Sequence, residues 1–139
     1  MDCIGAKLRK ASRLITRWMN DEIIPCGISY TQLNLLVELT NLSGDTLTES
    51  GWKLGMDRST LTRNLLVLRN QGIITISREA GSDRRVKNKF ALTEKGHGIV
   101  SDGVKRWEKA NNKLLESVGK CEMLRADLDW FSEQMREFI

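Results

Sequence analysis

Ser59, Thr60, Thr62 and Arg63 stand within one five-residue span behind Asp57, bringing three hydroxyls and a guanidinium together. The flanking residues predict that this span opens a helix. Asp57 is of N-cap type, because its carboxylate can accept from the orphan amides of a first turn and meets the positive end of the helix dipole. Gly72, free to adopt positive φ, suits the position just past a helix end. At about 100° per residue, Leu61, Leu65 and Leu68 share one stripe. Ser59, Arg63 and Asn70 lie nearly opposite, with Thr60 and Thr62 on the flanks. A DNA major groove uses this chemistry: Arg forks onto guanine O6 and N7, hydroxyls take a base edge or a phosphate, and a threonine methyl meets that of thymine. An ordinary solvated helix presents the same face, and Leu66 interrupts it, so the elements around the helix must decide.

After Gly72 the apolar period changes from that of a helix to two. Ile74 and Ile76 alternate with Thr75 and Ser77, and beyond a polar stretch Phe90 and Leu92 alternate with Lys87 and Lys89. This predicts a β-hairpin whose tip is Glu79-Ala80-Gly81-Ser82-Asp83-Arg84-Arg85. Charged strands also guard sheet edges against aggregation. A cationic hairpin directly behind a hydroxyl- and Arg-bearing helix is nevertheless more specific than either element alone. Arg84 and Arg85 on a thin wing would reach a minor groove, where negative potential concentrates, with Asp83 holding an Arg side chain extended. Arg58, Ser77, Arg78, Lys87 and Lys89 would sit near phosphates, contributing affinity without base choice.

The preceding residues supply the other half of a helix-turn-helix. Residues 4–19 carry an amphipathic pattern, Pro25-Cys26-Gly27 interrupts the chain, and Ser29 or Thr31 can cap a second helix. Asn41-Leu42-Ser43-Gly44-Asp45 is turn chemistry. Thr46 and Glu49 have the spacing of a reciprocal cap for a short third helix, in which Gly51 is a weak point and Trp52 and Leu54 are the expected buried contacts. Two short helices joined by a glycine-containing turn place the second in a groove. Thr93 caps a long helix, and a last one follows Gly119. The fold class is thus mainly α with a small β-hairpin: a winged helix-turn-helix plus N- and C-terminal dimerisation helices. The chain is expected to be a single domain, with residues 29–93 as the winged lobe and 1–21 and 94–139 as a helical dimerisation region. These terminal helices are more apolar than cover of the lobe requires, which predicts a two-fold homodimer.

The 139 residues suffice for a core without staples. Between Lys53 and Lys95 ten basic residues face four acids, a local excess of six in a chain whose net charge is +4. That is the footprint of a polyanion partner. Three scattered cysteines offer no disulfide framework and no metal-ligand spacing. No apolar leader and no run of eighteen apolar residues is present, so a cytoplasmic location without membrane insertion is expected. No phosphate-cradling glycine loop or nucleophile motif argues for an enzyme, and no cofactor is expected. His97 reads as a surface residue.

The residues resemble the MarR family of bacterial transcription regulators. The carriers are Leu54-Gly55-Met56-Asp57-Arg58-Ser59-Thr60-Leu61-Thr62-Arg63, then Leu68 with Gly72-Ile73-Ile74, the wing sequence Asp83-Arg84-Arg85, and Leu92-Thr93-Glu94-Lys95-Gly96, in that order over about half the chain. The resemblance implies a homodimer on a palindromic operator of double-stranded DNA, usually a repressor released by a small molecule or oxidant. It implies that Ser59, Thr60, Thr62 and Arg63 face the major groove, that Arg85 enters the minor groove and that Asp83 braces it. Ser50-Gly51-Trp52 departs from the family's small or aliphatic helix formers. Trp18, Tyr30 and Trp52 are candidate lining residues of an effector pocket, although aromatics at helical spacing are more often core. Cys26 is a candidate redox site, because a helix dipole ahead of it would favour the thiolate, although a cysteine in such a place is more often an inert small hydrophobe. The rival functions are a nonspecific nucleic-acid binder and a winged-helix protein-interaction module of antirepressor type.

Overall fold

The computed structural model describes residues 2–42, 46–80 and 86–139, and of residues 40–42, 47, 79–80 and 86–88 the backbone alone. Six helices and one hairpin follow in order: α1 (Ile4–Ile23), a 3₁₀ turn (Ile24–Cys26), α2 (Tyr30–Leu42), α3 (Leu47–Leu54), α4 (Arg58–Asn70), β1 (Ile74–Ala80), β2 (Val86–Leu92), α5 (Glu94–Ser117), α6 (Cys121–Met135) and a closing 3₁₀ turn. The expected mainly α winged helix-turn-helix is the observed architecture.

Local chemistry sets most boundaries. Ser29 and Gln32 cap each other at the start of α2, Ser29 N donating to Gln32 Oε1 at 2.9 Å and Gln32 N to Ser29 Oγ at 3.1 Å. α2 runs through Leu42, so the first two residues of the turn expected over 41–45 are still helical. Thr46 and Glu49 form the expected reciprocal cap of α3.

Residues Met1–Trp107 form one compact unit. Its core gathers Ile23 and Ile28 with Leu33, Leu35, Leu36 and Leu39 of α2, Leu61, Leu65 and Leu68 of α4, and Ile73, Ile74 and Phe90 of the hairpin. One leucine stripe on α4 thus fastens the helix to everything behind it, leaving its opposite side outward. Residues Glu108–Ile139 form a second unit. There α6 leaves Met123, Leu124 and Trp130 exposed, Trp130 at 65%.

The expectation for α3 needs correction. Trp52 is 37% exposed, whereas Ser50 is fully buried and Gly51 also faces inward. The reason is the turn that follows, in which Gly55 adopts φ +64° and Met56 N donates to Gly51 O at 2.8 Å. A Cβ on Gly51 would stand 2.5 Å from the Met56 carbonyl oxygen. Gly51 therefore lowers helix propensity by about 1 kcal/mol but lets the turn fold back over α3.

Ser50 Oγ is buried without a hydrogen-bond partner among the described residues. Ser50→Ala is expected to stabilise the chain by about 1 kcal/mol, by removing an unpaired hydroxyl and raising helix propensity. Urea denaturation measures this, and a loss of stability would show that the hydroxyl is bonded.

Candidate nucleic-acid interface

α4 starts as its sequence requires. Asp57 is extended (φ −69°, ψ 160°) and accepts from Thr60 N at 2.8 Å. The Thr60 hydroxyl also donates to the carboxylate, 3.0 Å from Asp57 Oδ2, and accepts from Arg63 Nη2 at 3.4 Å. The Thr60 amide, then its hydroxyl, hold the Asp57 carboxyl below the ordinary carboxylate range, with the Arg63 charge assisting. A folded-state pKa below the unfolded one means that this contribution to stability is present above ordinary Asp titration and is lost as pH falls from there through the lowered folded-state value. Thr60 thus serves the cap on one flank, while Ser59 and Arg63 stand exposed on the outward face. The helix ends on a Schellman turn: Ile73 N donates to Leu68 O at 3.0 Å and Gly72 N to Arg69 O at 2.9 Å, with Gly72 at φ +73°.

The hairpin is antiparallel, pairing Ile74 with Leu92, Ile76 with Phe90 and Ser77 with Lys89. Side chains alternate across the strands, so this register divides the expected phosphate contacts. Arg78 shares the face of Ile76 and Phe90, whereas Ser77 and Lys89 lie on the other. Thr62, Leu65, Leu66 and Arg69 of α4 and Ile76, Arg78 and Phe90 of the hairpin line an open cleft of about 320 Å³. Arg69 is an addition to the sequence reading; its seven-residue spacing from Thr62, two helical turns, was the available signal. Arg58 is exposed at the first position of α4. Lys87 pairs with Glu79 in the ladder, while Asp83, Arg84 and Arg85 lie outside the described residues.

The remaining candidates stand on three different helices. Tyr30 packs on the core with its amide donating to Asn20 Oδ1 at 2.8 Å, Trp18 is half-buried on α1, and Trp52 is exposed on α3. None of them lines the cleft described above.

For Cys26 the thiolate expectation needs correction, in favour of the inert reading. It ends the 3₁₀ turn ahead of α2, and its Sγ donates to Asp102 Oδ2 at 3.1 Å. Burial, then the hydrogen bond and charge of Asp102, raise its pKa from 9.0 to about 11, against a smaller opposing effect of Arg106. The stability linked to the protonated thiol is therefore full below pH 9 and lost as pH rises towards 11. Asp102→Asn is expected to lower the thiol pKa and quicken iodoacetamide labelling of Cys26 near pH 8, as read by peptide mass mapping. Unchanged labelling would remove Asp102 from this account. Among the described residues no cluster of three or more His, Cys, Asp or Glu side chains could hold a metal ion, and no helix is long and apolar enough to cross a membrane.

A capped helix-turn-helix followed by a two-stranded hairpin against the second helix defines a winged helix-turn-helix protein. No family model matches the sequence, and no curated protein matches it. Solved structures do. A Mycobacterium tuberculosis transcriptional regulator, MosR, solved in complex with DNA, is 27% identical over 98% of both chains with a TM-score of 0.83. A MarR-family regulator from Rhodococcus sp. RHA1 is 18% identical over 95% of this chain and 96% of that one, at a TM-score of 0.72. CouR from Rhodococcus jostii RHA1, solved with p-coumaroyl-CoA, is 21% identical over 94% and 92%, also at 0.72. The fold of this chain is that of the MarR-family regulators, and of the motif residues that resemble the family, those described fall in order from the end of α3 through α4 and the hairpin to the start of α5.

Proposed function

We propose that this chain is a MarR-type transcription regulator that binds double-stranded DNA as a homodimer, acting as a repressor of a palindromic operator. Ser59, Thr62 and Arg63 of α4 read base edges, with Thr60 setting the helix start and the Arg63 rotamer. Arg58, Ser77, Arg78, Lys87 and Lys89 meet phosphates, and Arg84 and Arg85 of the wing enter the minor groove beside Asp83. One observation carries this reading: Thr62 of α4 and Arg78 of β1 line one cleft, while Ser59 and Arg63 are exposed on the adjoining face of the helix. A hydroxyl from Thr62 and guanidiniums from Arg69 and Arg78 thereby share one cleft, which supports a duplex partner. The DNA complex of MosR supports it.

The homodimer rests on apolar side chains left exposed on α1 and α6, among them Ile4, Leu14, Leu124 and Trp130. Release by a small molecule is supported by the ligand that CouR holds. For an oxidant, Cys26 is a poor sensor, because its thiol is held protonated.

The test is selection of genomic fragments by the purified protein, then gel-shift competition at moderate salt with light-scattering mass. An operator bound at least ~10³-fold more tightly than random duplex, by a dimer, is expected. Equal affinity for all duplexes would favour the nonspecific binder. No binding at all would favour the protein-interaction module.

A further inference from the structure

We infer that Thr93 and Lys95 are positioning residues for the duplex-facing helix, fastening the end of α4 to the start of α5 so that the two turn as one piece. The inference rests on the DNA-binding reading above, but the tie itself is geometric. The Schellman turn accounts for the Leu68 and Arg69 carbonyls, and the carbonyls of Gln71, Gly72 and Ile73 are met by Thr93, just ahead of α5, and by Lys95 in its first turn. Lys95 Nζ donates to Gln71 O at 2.8 Å. The Thr93 hydroxyl lies 2.6 Å from Gly72 O and 3.0 Å from Ile73 O, its single proton shared between them, and Thr93 N donates to Ile73 O at 3.0 Å. The same hydroxyl accepts from Gly96 N at 3.0 Å, capping α5.

The bonds to Gln71 and Gly72 are solvent-exposed, where water replaces a lost partner at little net cost in stability. Their distinctive effect is on freedom. Gly72, at φ +73°, is the natural pivot for α4, and donors fixed to both neighbouring carbonyls remove that pivot. A helix that must place Ser59 and Arg63 against base edges depends on that restraint more than the core does.

Thr93→Asp retains an acceptor for Gly96 N but has no donor at neutral pH, and Lys95→Met retains the side-chain length without the ammonium. Thr93→Ser keeps both functions of the hydroxyl. The experiment compares the full-length chain with the Thr93→Asp/Lys95→Met double variant and with Thr93→Ser. It measures the urea midpoint, amide exchange at Gly72, Ile73 and His97, and affinity for the selected duplex over a range of salt. The double variant is expected to keep its midpoint and its His97 protection while Gly72 and Ile73 exchange faster. Its affinity should fall by at least about fivefold, the low end of ordinary coupling between sites. That loss should persist at raised salt with an unchanged slope, which separates misplacement from a lost phosphate contact. Thr93→Ser should behave as wild type.

Unchanged exchange at Gly72 and Ile73 would overturn the tie. Faster exchange with unchanged affinity would overturn the positioning role, as would a midpoint falling in step with affinity. If the unmodified chain bound no duplex, the DNA-binding reading and with it the positioning role would fall, while exchange would still decide whether the two helices are tied.

Discussion

Gly96→Ala is expected to destabilise the chain by about 3 kcal/mol, although alanine is the better helix former. A Cβ built on Gly96 meets Ile73 O at 2.1 Å, Ile73 C at 3.2 Å and Leu92 Cδ2 at 3.3 Å. Leu92 can change rotamer. The Ile73 carbonyl cannot withdraw, because it accepts from Thr93 N and belongs to a residue buried in the core. Relief therefore requires the start of α5 to lift off the end of α4. The sign of the effect is what makes this diagnostic, because Gly→Ala inside a helix ordinarily gains up to about 1 kcal/mol. Gly98, two residues on, has nothing within 4 Å of its built Cβ. Gly98→Ala should show that gain and serve as the internal control. Urea unfolding of both variants decides the matter, and a neutral Gly96→Ala would mean that the two helices do not meet here.

Features governed by neighbours in sequence were readable before any coordinates. Leu61, Leu65 and Leu68 declare their stripe through spacing alone, Thr46 with Glu49 and Asp57 declare caps, and the switch to alternation at Ile74 declares a strand. In each case the partner lies a few residues away. Failures came where a distant or competing partner decides. On a helix as short as α3, periodicity leaves more than one face open to burial, and the fold-back through Gly55 selects Ser50 and Gly51 over Trp52. The thiolate reading of Cys26 looks only to the helix nearest in sequence, whereas burial first, and then Asp102, 76 positions away, raise its proton affinity, in line with the inert reading. Thr60 had a legible second role: at the third helical position behind an aspartate its hydroxyl is within reach of the carboxylate, as the 3.0 Å contact shows. Thr93 and Lys95 could be read as a cap and a surface charge, but not as the partners of carbonyls more than twenty residues earlier.

Arg63→Ala is expected to weaken binding of the selected operator by about 1–3 kcal/mol and to flatten base preference at the positions it contacts. The argument runs from its restraint to its reach. In the free chain the guanidinium is exposed and turns back towards the cap, 3.4 Å from Thr60 Oγ1 and near enough to Asp57 to help keep that carboxylate ionised. A contact this long constrains the rotamer without consuming the donors, so the planar fork remains available for guanine O6 and N7. Arg63→Lys should not restore the preference, because an ammonium supplies charge without the fork. Lys89, on the strand face away from Phe90, provides the contrast, as does Lys87 two positions earlier. Replacing either by Ala should weaken all duplexes alike and lower the salt slope by about one. Gel shifts with the operator and with single-base variants, repeated over a salt series, separate the two behaviours. If Arg63→Ala and Lys89→Ala change affinity, base preference and salt slope equally, the outward face of α4 makes only backbone contacts and the base reader must be sought elsewhere on the chain.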